Sequence, residues 1–110
     1  MARRYVPDAG DIVWLSFDPQ TGREQAGHRR AVVLSPSAYN AKTSLMICCP
    51  MTTRIKNYPF EVVIAGENPR AVLSDQVKSL DWRERHARRK GSVSPVELAE
   101  VRAKLRALIG

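Results

Sequence analysis

Residues 12–34 read IVWLSFDPQTGREQAGHRRAVVL and place a polar, glycine-containing loop between two apolar runs. Both runs are rich in β-branched and aromatic residues, which favour strands. Asp18-Pro19 and Thr21-Gly22 supply the turn chemistry that ends the first run. The pattern therefore predicts a strand over 11–17, a loop, and a second strand over 30–35 that Pro36 ends.

Further short strand-like runs follow at close spacing and are separated by turn residues. They are predicted over 45–49, 61–64, 71–73 and 76–80, with one helical turn over 37–43. The run 45–49 is almost continuously apolar, which predicts burial on both faces. Many short strands in 110 residues indicate one domain, spanning 1–110, that folds as a mainly β small barrel or sandwich.

The C-terminal segment has a different pattern, typical of a helix. Ser94 suits the N-cap, Pro95 the first helical position, and Glu97 completes a capping box. Apolar residues then share one face at helical spacing: Leu98, Val101, Leu105, Leu108 and Ile109. We expect this face to pack on the barrel, and any part left uncovered to become a dimer contact. Trp14 and Trp82 are expected in the core or in that interface.

The chain is strongly basic, with a formal net charge of +7. Such a charge favours polyanionic partners, namely nucleic acid, an anionic membrane surface or an acidic protein. Five cations fall within residues 81–94 against two acids, which fits either a solvated surface turn or direct phosphate contacts; they are Arg83, Arg85, Arg88, Arg89 and Lys90.

Cysteine usage and apolar run lengths indicate a cytoplasmic protein. Cys48 and Cys49 are neighbours, so in a strand they point to opposite faces and a mutual disulfide is not expected. No Cys or His spacing suggests zinc, and no apolar run approaches the length of a membrane span or a leader. We expect no metal and no cofactor.

Two polar clusters follow predicted strands and combine groups that suit a phosphodiester. The first contains Glu24, His28, Arg29 and Arg30. The second is Thr52-Thr53-Arg54 with Lys56. Because functional groups concentrate on loops held by a rigid scaffold, an acid, several cations and hydroxyls at neighbouring strand ends predict a site.

These clusters and their flanking segments resemble those of a known family. The order and spacing of the segments carry the resemblance: YVPDAGD (5–11), FDP (17–19), EQAGHR (24–29), AVVLSP (31–36), PMTT (50–53), YPFEV (58–62), DQVKS (75–79) and WR (82–83). The chain is similar, essentially end to end, to the MazF/PemK-type toxin endoribonucleases of bacterial toxin–antitoxin pairs.

The resemblance implies a fold, an activity and partners. The fold is an SH3-like barrel with a C-terminal helix, acting as a homodimer. The activity is metal-independent cleavage of single-stranded RNA at a short sequence. The partner is a cognate antitoxin with an acidic, partly disordered tail. Its site residues carry over to Arg29 and Thr52 as catalytic, with Glu24 as an aid to activity.

One position departs from the family, which usually has proline where this chain has Arg30. Proline would fix φ and remove an N–H donor. Arginine leaves φ free, keeps the N–H donor and adds a positive charge. From sequence, Arg30 could either weaken the positioning of Arg29 or strengthen phosphate binding.

The chemistry of the groups suggests roles. RNA can be cut by its own 2′-OH, giving a 2′,3′-cyclic phosphate and a 5′-OH end. Arg29 suits stabilisation of the phosphorane, Thr52 can donate a further hydrogen bond, and Glu24 is an ordinary base. His28 adds an imidazole to this cluster. Candidate RNA-binding residues are His28, Arg30, Asn40, Thr53, Arg54, Lys56, Gln76 and Phe17, with Tyr58 as a second stacking candidate.

Two alternative functions remain open from sequence. One is a toxin on the same barrel that poisons DNA gyrase through the end of the C-terminal helix. The other is a non-catalytic, basic nucleic-acid-binding barrel, whose affinity would fall with salt without turnover.

Overall fold

The computed structural model of the protein describes residues 4–18, 22–23, 25 and 27–110. Within these ranges an antiparallel sheet carries two α-helices and a short 3₁₀ turn. The strands are β1 (Asp11–Ser16), β2 (His28–Val33), β3 (Leu45–Thr52), β4 (Glu61–Ile64), β5 (Arg70–Leu73), β6 (Lys78–Asp81) and β7 (Arg88–Ser92). The helices are α1 (Ser37–Thr43) and α2 (Pro95–Ile109), and the 3₁₀ turn is Ser74–Gln76.

The sheet curls because its central strand pairs with three neighbours. The strand order is β4-β5-β3-β2-β1-β7, and β6 pairs with the first half of β3. The second half of β3 pairs with β5, through Met51↔Val72 and Thr52↔Ala71. This arrangement confirms the predicted mainly β barrel closed by a C-terminal helix.

Alternation along β2 divides the core into two clusters. Ala31 and Val33 pack with Val13 and Leu15 of β1 on one face. Val32, on the other face, packs in a cluster that includes Val101 of α2. Because successive strand residues point to opposite faces, one apolar strand supplies both clusters.

The two tryptophans differ in burial. Trp82 is buried in the first cluster, which confirms its predicted core position. Its Nε1 donates to the carbonyl of Asn40 at 2.9 Å. Trp14 is only partly buried and lies beside His28 and Arg30 on the sheet surface. Of the two predicted locations for Trp14, the core is therefore wrong, and the dimer interface stays a prediction.

Helix α2 begins as its sequence predicts but does not bury its whole apolar stripe. Ser94 Oγ accepts from the Glu97 N–H, and the Glu97 carboxylate accepts from the Ser94 N–H, so the capping box is formed. Val101 is buried, with Leu98 and Leu105 packed beside it. Leu108 and Ile109, the last two stripe positions, are 50% and 71% exposed, which corrects their assignment to the core.

Several strand bounds differ from those predicted. β2 begins two residues earlier, and β3 continues three residues further, to Thr52. Ile47 of β3 is 38% exposed, so this strand is not buried on both faces throughout. Gln76 belongs to the 3₁₀ turn rather than to a strand.

The basic segment near residue 85 contains a strand that was not predicted. β7 pairs with β1 through Val13↔Arg89 and Trp14↔Arg88. Before it, Arg85 donates to the carbonyl of Ser16 at 2.8 Å and thereby ties this segment to the end of β1. In the described part of the chain, no helix is long and apolar enough to cross a bilayer.

Candidate active site

The C-terminal end of β3 and the N-terminal end of β2 meet at one cleft. The two strands pair through Ala31↔Pro50, and continuing that register by two residues brings Arg29 level with Thr52. Both side chains line a cleft of about 510 Å³. Its lining residues are Arg23, Gln25, Arg29, Thr52, Arg54, Lys56, Tyr58, Glu61, Leu73 and Gln76. The structure thus brings together the two residues on which the sequence-based hypothesis depends.

Thr52 is the last residue of β3 and is held by the chain that follows it. Only 7% of the residue is exposed. Its Oγ1 accepts a hydrogen bond from the Arg54 N–H at 3.1 Å. A hydroxyl has one proton to donate besides its acceptor lone pairs. Since the backbone contact uses a lone pair, the Thr52 proton stays available to an oxygen bound in the cleft.

Glu61 shapes the loop that carries the second cationic cluster. Its carboxylate is 6% exposed and accepts from the Lys56 N–H at 3.1 Å and the Asn57 N–H at 2.6 Å. Asn57 has a φ of 60°, the left-handed conformation that asparagine tolerates better than most residues. The loop therefore closes on a buried acid, which fixes where Lys56 leaves the chain.

Helix α2 holds the same loop from the other side. Lys104 Nζ donates to the carbonyl of Pro59 at 2.7 Å and to that of Glu61 at 3.0 Å. Sequence analysis did not select Glu61 or Lys104. The only signal was a carboxylate at the start of an otherwise apolar strand directly after Pro59-Phe60.

The opposite wall of the cleft is fixed by side-chain hydrogen bonds. Gln76 Oε1 accepts from the Gln25 N–H at 3.1 Å, so this side chain holds Gln25 in place. The Tyr58 hydroxyl donates to Asp75 Oδ1 at 2.5 Å. Burial, and then that hydrogen bond, raise the pKa of Tyr58, so the phenol stays protonated at neutral pH. The structure therefore gives Gln76 a positioning role, and since Gln76 also lines the cleft, its predicted contact with RNA stays a prediction.

The charge of the described lining residues is predominantly positive. The described lining contains one carboxylate, that of Glu61, which already accepts from backbone N–H groups. It contains four cations: Arg23, Arg29, Arg54 and Lys56. A planar guanidinium such as that of Arg29 matches two oxygens of one phosphate. The cleft is therefore suited to a phosphodiester. Arg23 was not selected from sequence, although it lies in the polar loop.

His28 and Arg30 lie on the opposite face of β2 from Arg29. The His28 ring centroid is 5.8 Å from that of Trp14, and the Arg30 guanidinium carbon is 5.7 Å from the Trp14 ring. His28 lines a different and larger cavity, of about 850 Å³, which includes neither Arg29 nor Thr52 in its lining. The structure thus places His28 and Arg30 outside the cleft that holds Arg29, and their role in RNA binding stays a prediction.

Other predicted RNA-binding residues are in the core or beside the cleft. Asn40 is fully buried, and its Nδ2 donates to the carbonyls of Pro7 at 2.8 Å and Ser35 at 3.0 Å, so it has a structural role. Phe17 is 1% exposed and cannot stack on a base. Thr53 is exposed next to Thr52. Glu24 lies outside the described residues.

The described residues contain no cluster of three or more His, Cys, Asp or Glu side chains placed to share a metal ion. Metal-independent cleavage stays a prediction, which activity in the presence of a chelator tests.

A small curled β-barrel with a cation-lined cleft at its strand ends defines the class of this protein: a mainly β domain whose cleft is suited to a polyanion. Comparison with known proteins then defines the family. Residues 8–109 match the profile of the PemK-like, MazF-like toxins of type II toxin–antitoxin systems. The chain belongs to this family, which confirms the predicted family and, with it, the predicted class of endoribonuclease toxin.

Individual relatives agree with this assignment. The chain is 57% identical to the endoribonuclease toxin MazF of Escherichia coli K12, with all of both chains covered. A crystal structure of MazF from Deinococcus radiodurans superposes with a TM-score of 0.93 at 52% identity, covering 97% of this chain and 99% of that one. A MazE–MazF crystal structure from the same organism gives 0.86 at 48% identity, covering 97% and 98%.

Proposed function

We propose that this protein cuts single-stranded RNA at a short recognition sequence without a metal ion, and that Arg29 and Thr52 act together on the cleaved linkage. The observation that carries the proposal is their common cleft at the ends of β2 and β3. One side chain contributes a fixed positive charge and the other a hydroxyl held by its own backbone. As the toxin of a toxin–antitoxin pair, it would stop translation and growth by destroying messenger RNA.

The proposed reaction is attack of a ribose 2′ oxygen on the adjacent phosphorus. A P–O2′ bond forms, the P–O5′ bond breaks, and the products are a 2′,3′-cyclic phosphate and a 5′-OH end. The 2′-OH proton passes to a base, and the departing 5′ oxygen gains a proton. No covalent bond to the protein is needed.

Charge stabilisation is the task that the described residues suit best. Negative charge grows on the two non-bridging oxygens as phosphorus becomes five-coordinate, and the Arg29 guanidinium can donate to both. The Thr52 hydroxyl can donate to one of them. Removal of one such preorganised donor typically lowers kcat by roughly 10²–10³.

Proton transfer is assigned to Glu24 as the base. A carboxylate is deprotonated at neutral pH and can accept the 2′ proton transiently, whereas arginine stays protonated up to about pH 12 and cannot. Tyr58 is not the base, because burial and Asp75 keep its pKa raised.

The test is cleavage of a long single-stranded RNA in EDTA. We expect the wild-type protein to cut, and Arg29→Ala and Thr52→Val to lose roughly 10²-fold or more of the single-turnover rate. Arg29→Lys, which keeps the charge but not the planar fork, should be closer to Arg29→Ala than to wild type. Lys42→Ala, on the exposed side of α1, removes one charge elsewhere and should leave the rate unchanged.

Intact RNA with wild-type protein, or full activity in Arg29→Ala, would refute the assignment. Inhibition of gyrase supercoiling without RNA cleavage would favour the gyrase poison. Salt-dependent binding without turnover would favour the non-catalytic barrel.

Two partners complete the proposal. The first is an acidic antitoxin, which the net charge of +7 and the cation-lined cleft would attract. Co-expression of the cognate antitoxin should relieve growth arrest. The second is another copy of this chain, seated on the apolar groove where α2 crosses β3, lined in part by Leu34, Ile47, Leu105 and Ile109.

A further inference from the structure

A second basic pocket lies on the face of the sheet opposite the cleft. It has a volume of about 380 Å³. Three cations line it, Arg30 of β2, Arg70 of β5 and Lys90 of β7, and we call it the outer basic pocket. The lining also includes apolar residues, among them Ile12, Met51 and Ile64. Glu67 is the one acid among the described lining residues.

The outer basic pocket and the cleft are built on the same two strand ends. Arg29 lines the cleft and Arg30 lines the outer basic pocket. Thr52 lines the cleft and Met51 lines the outer basic pocket. Since successive strand residues point to opposite faces, the two sites lie back to back. An RNA chain that continues from the cleft around these strand ends would approach the outer basic pocket.

Positive charge and an aromatic surface continue beyond the pocket. The Arg30 guanidinium lies over the Trp14 ring at 5.7 Å, and Trp14 pairs with Arg88 across the β1–β7 ladder. Arg30, Trp14 and Arg88 therefore form one row across three strands. Cations that follow a backbone, with aromatic rings on which bases stack, are the usual means of holding single-stranded nucleic acid without reading its sequence.

We propose that Arg30, Arg70 and Lys90 bind phosphates of the RNA outside the cleaved linkage. This inference rests on the proposed function, because it takes RNA as the substrate of the cleft. It also gives Arg30 a purpose: it extends the RNA-binding surface instead of acting on the reacting phosphate. None of the described residues that line the pocket lines the α2 groove, on which the second copy is proposed to sit.

The test compares two RNAs made uncleavable by 2′-O-methylation, a short one that spans only the cleft and a long one that extends to both sides. Binding is followed by fluorescence anisotropy at several salt concentrations. The variants are Arg30→Gln, Arg70→Gln and Lys90→Gln, with Lys42→Gln as the control for loss of one distant positive charge. Urea unfolding midpoints check that each variant folds as the wild type does.

We expect the long RNA to bind severalfold more weakly to each pocket variant, with the slope of log affinity against log salt reduced by about 0.7 per lost phosphate contact. The short RNA and Lys42→Gln should show no change. Equal weakening of both RNAs, or of neither, would overturn the inference while leaving the proposed function intact. If the pocket variants bind an acidic polypeptide such as poly-glutamate more weakly but bind RNA as the wild type does, the pocket is a protein-docking surface. That result would also overturn the inference. Wild-type protein that neither binds nor cleaves RNA would overturn both proposals.

Discussion

Two consecutive arginines show how strongly strand geometry determines chemistry at the level of a residue. Arg29 and Arg30 have the same side chain, yet one lines the cleft with Thr52 and the other lies over Trp14. They lie on different faces because successive side chains of a strand point to opposite faces of the sheet. Arg30 therefore adds charge on the far face of β2 and not in the cleft.

Glu61 illustrates a residue whose importance is visible only in three dimensions. We predict that Glu61→Ala lowers the free energy of unfolding by about 1–3 kcal/mol, because it leaves the N–H groups of Lys56 and Asn57 without their buried acceptor. RNA cleavage should fall as well, since the loop holding Arg54 and Lys56 loses its anchor. Urea denaturation and single-turnover cleavage measure the two effects.

The matched control for Glu61 is Glu67→Ala, an exposed acid in the β4–β5 loop. Its effect on the free energy of unfolding should lie within about 0.5 kcal/mol of zero. Equal losses of the free energy of unfolding in Glu61→Ala and Glu67→Ala would show that the removed charge, and not the buried hydrogen bonds, causes the destabilisation.

At this scale the sequence predicted the residues that form local motifs and missed those that act at a distance. Arg29 and Thr52 belong to recognisable segments. Asn40 was misassigned because the carbonyl of Pro7 that it binds is 33 positions away. The hydrogen bond between Gln76 and Gln25 was not predicted for the same reason, since the two residues are 51 positions apart. A polar residue buried by its tertiary partners has no local signature.

Among the elements, α2 was predictable and β7 was not. The start of α2 depends on three neighbouring residues, Ser94, Pro95 and Glu97, so its cap needs no partner that is distant in sequence. β7 begins with two exposed arginines and an exposed lysine at the edge of the sheet, where charged side chains discourage pairing with other molecules. Such a strand has no apolar alternation, and its identity comes from pairing with β1.

The end of α2 and the middle of β3 leave an apolar groove uncovered in one copy of the chain. Ile47 is 38% and Ile109 71% exposed, and both line it. An exposed apolar patch of this kind marks an interaction surface. The predicted dimer contact on the leftover part of the helix face fits this groove.

We predict that Ile47→Asp shifts the protein from dimer to monomer, since it would place an unpaired carboxylate in the middle of an apolar interface. Size-exclusion chromatography with light scattering measures the mass. Val63→Asp is the matched control, because Val63 is a similarly exposed apolar strand residue, 46% exposed, that does not line the groove. A monomeric wild-type protein, or a dimer that Ile47→Asp leaves intact, would contradict the proposal.

For the molecule as a whole, the curl of the sheet is the property that makes the site. Because β3 pairs with β6 in its first half and with β5 in its second, its end turns towards the loop before β2. Side chains from the 3₁₀ turn and from β4 then close the cleft, while α2 fixes the intervening loop through Lys104. The resemblance predicted the barrel, but pairing of one strand with three others cannot be read from apolar patterns alone.

The central claim is that Arg29 and Thr52 let RNA cleave itself through its own 2′-OH. The most direct measurement is to digest a long single-stranded RNA in EDTA and to determine the mass and sequence of every fragment end. We predict 2′,3′-cyclic phosphate and 5′-OH ends at one recurrent short sequence, absent from digests with Arg29→Ala. Fragments with 5′-phosphate and 3′-OH ends, or the same cyclic ends produced by Arg29→Ala at the wild-type rate, would contradict the account.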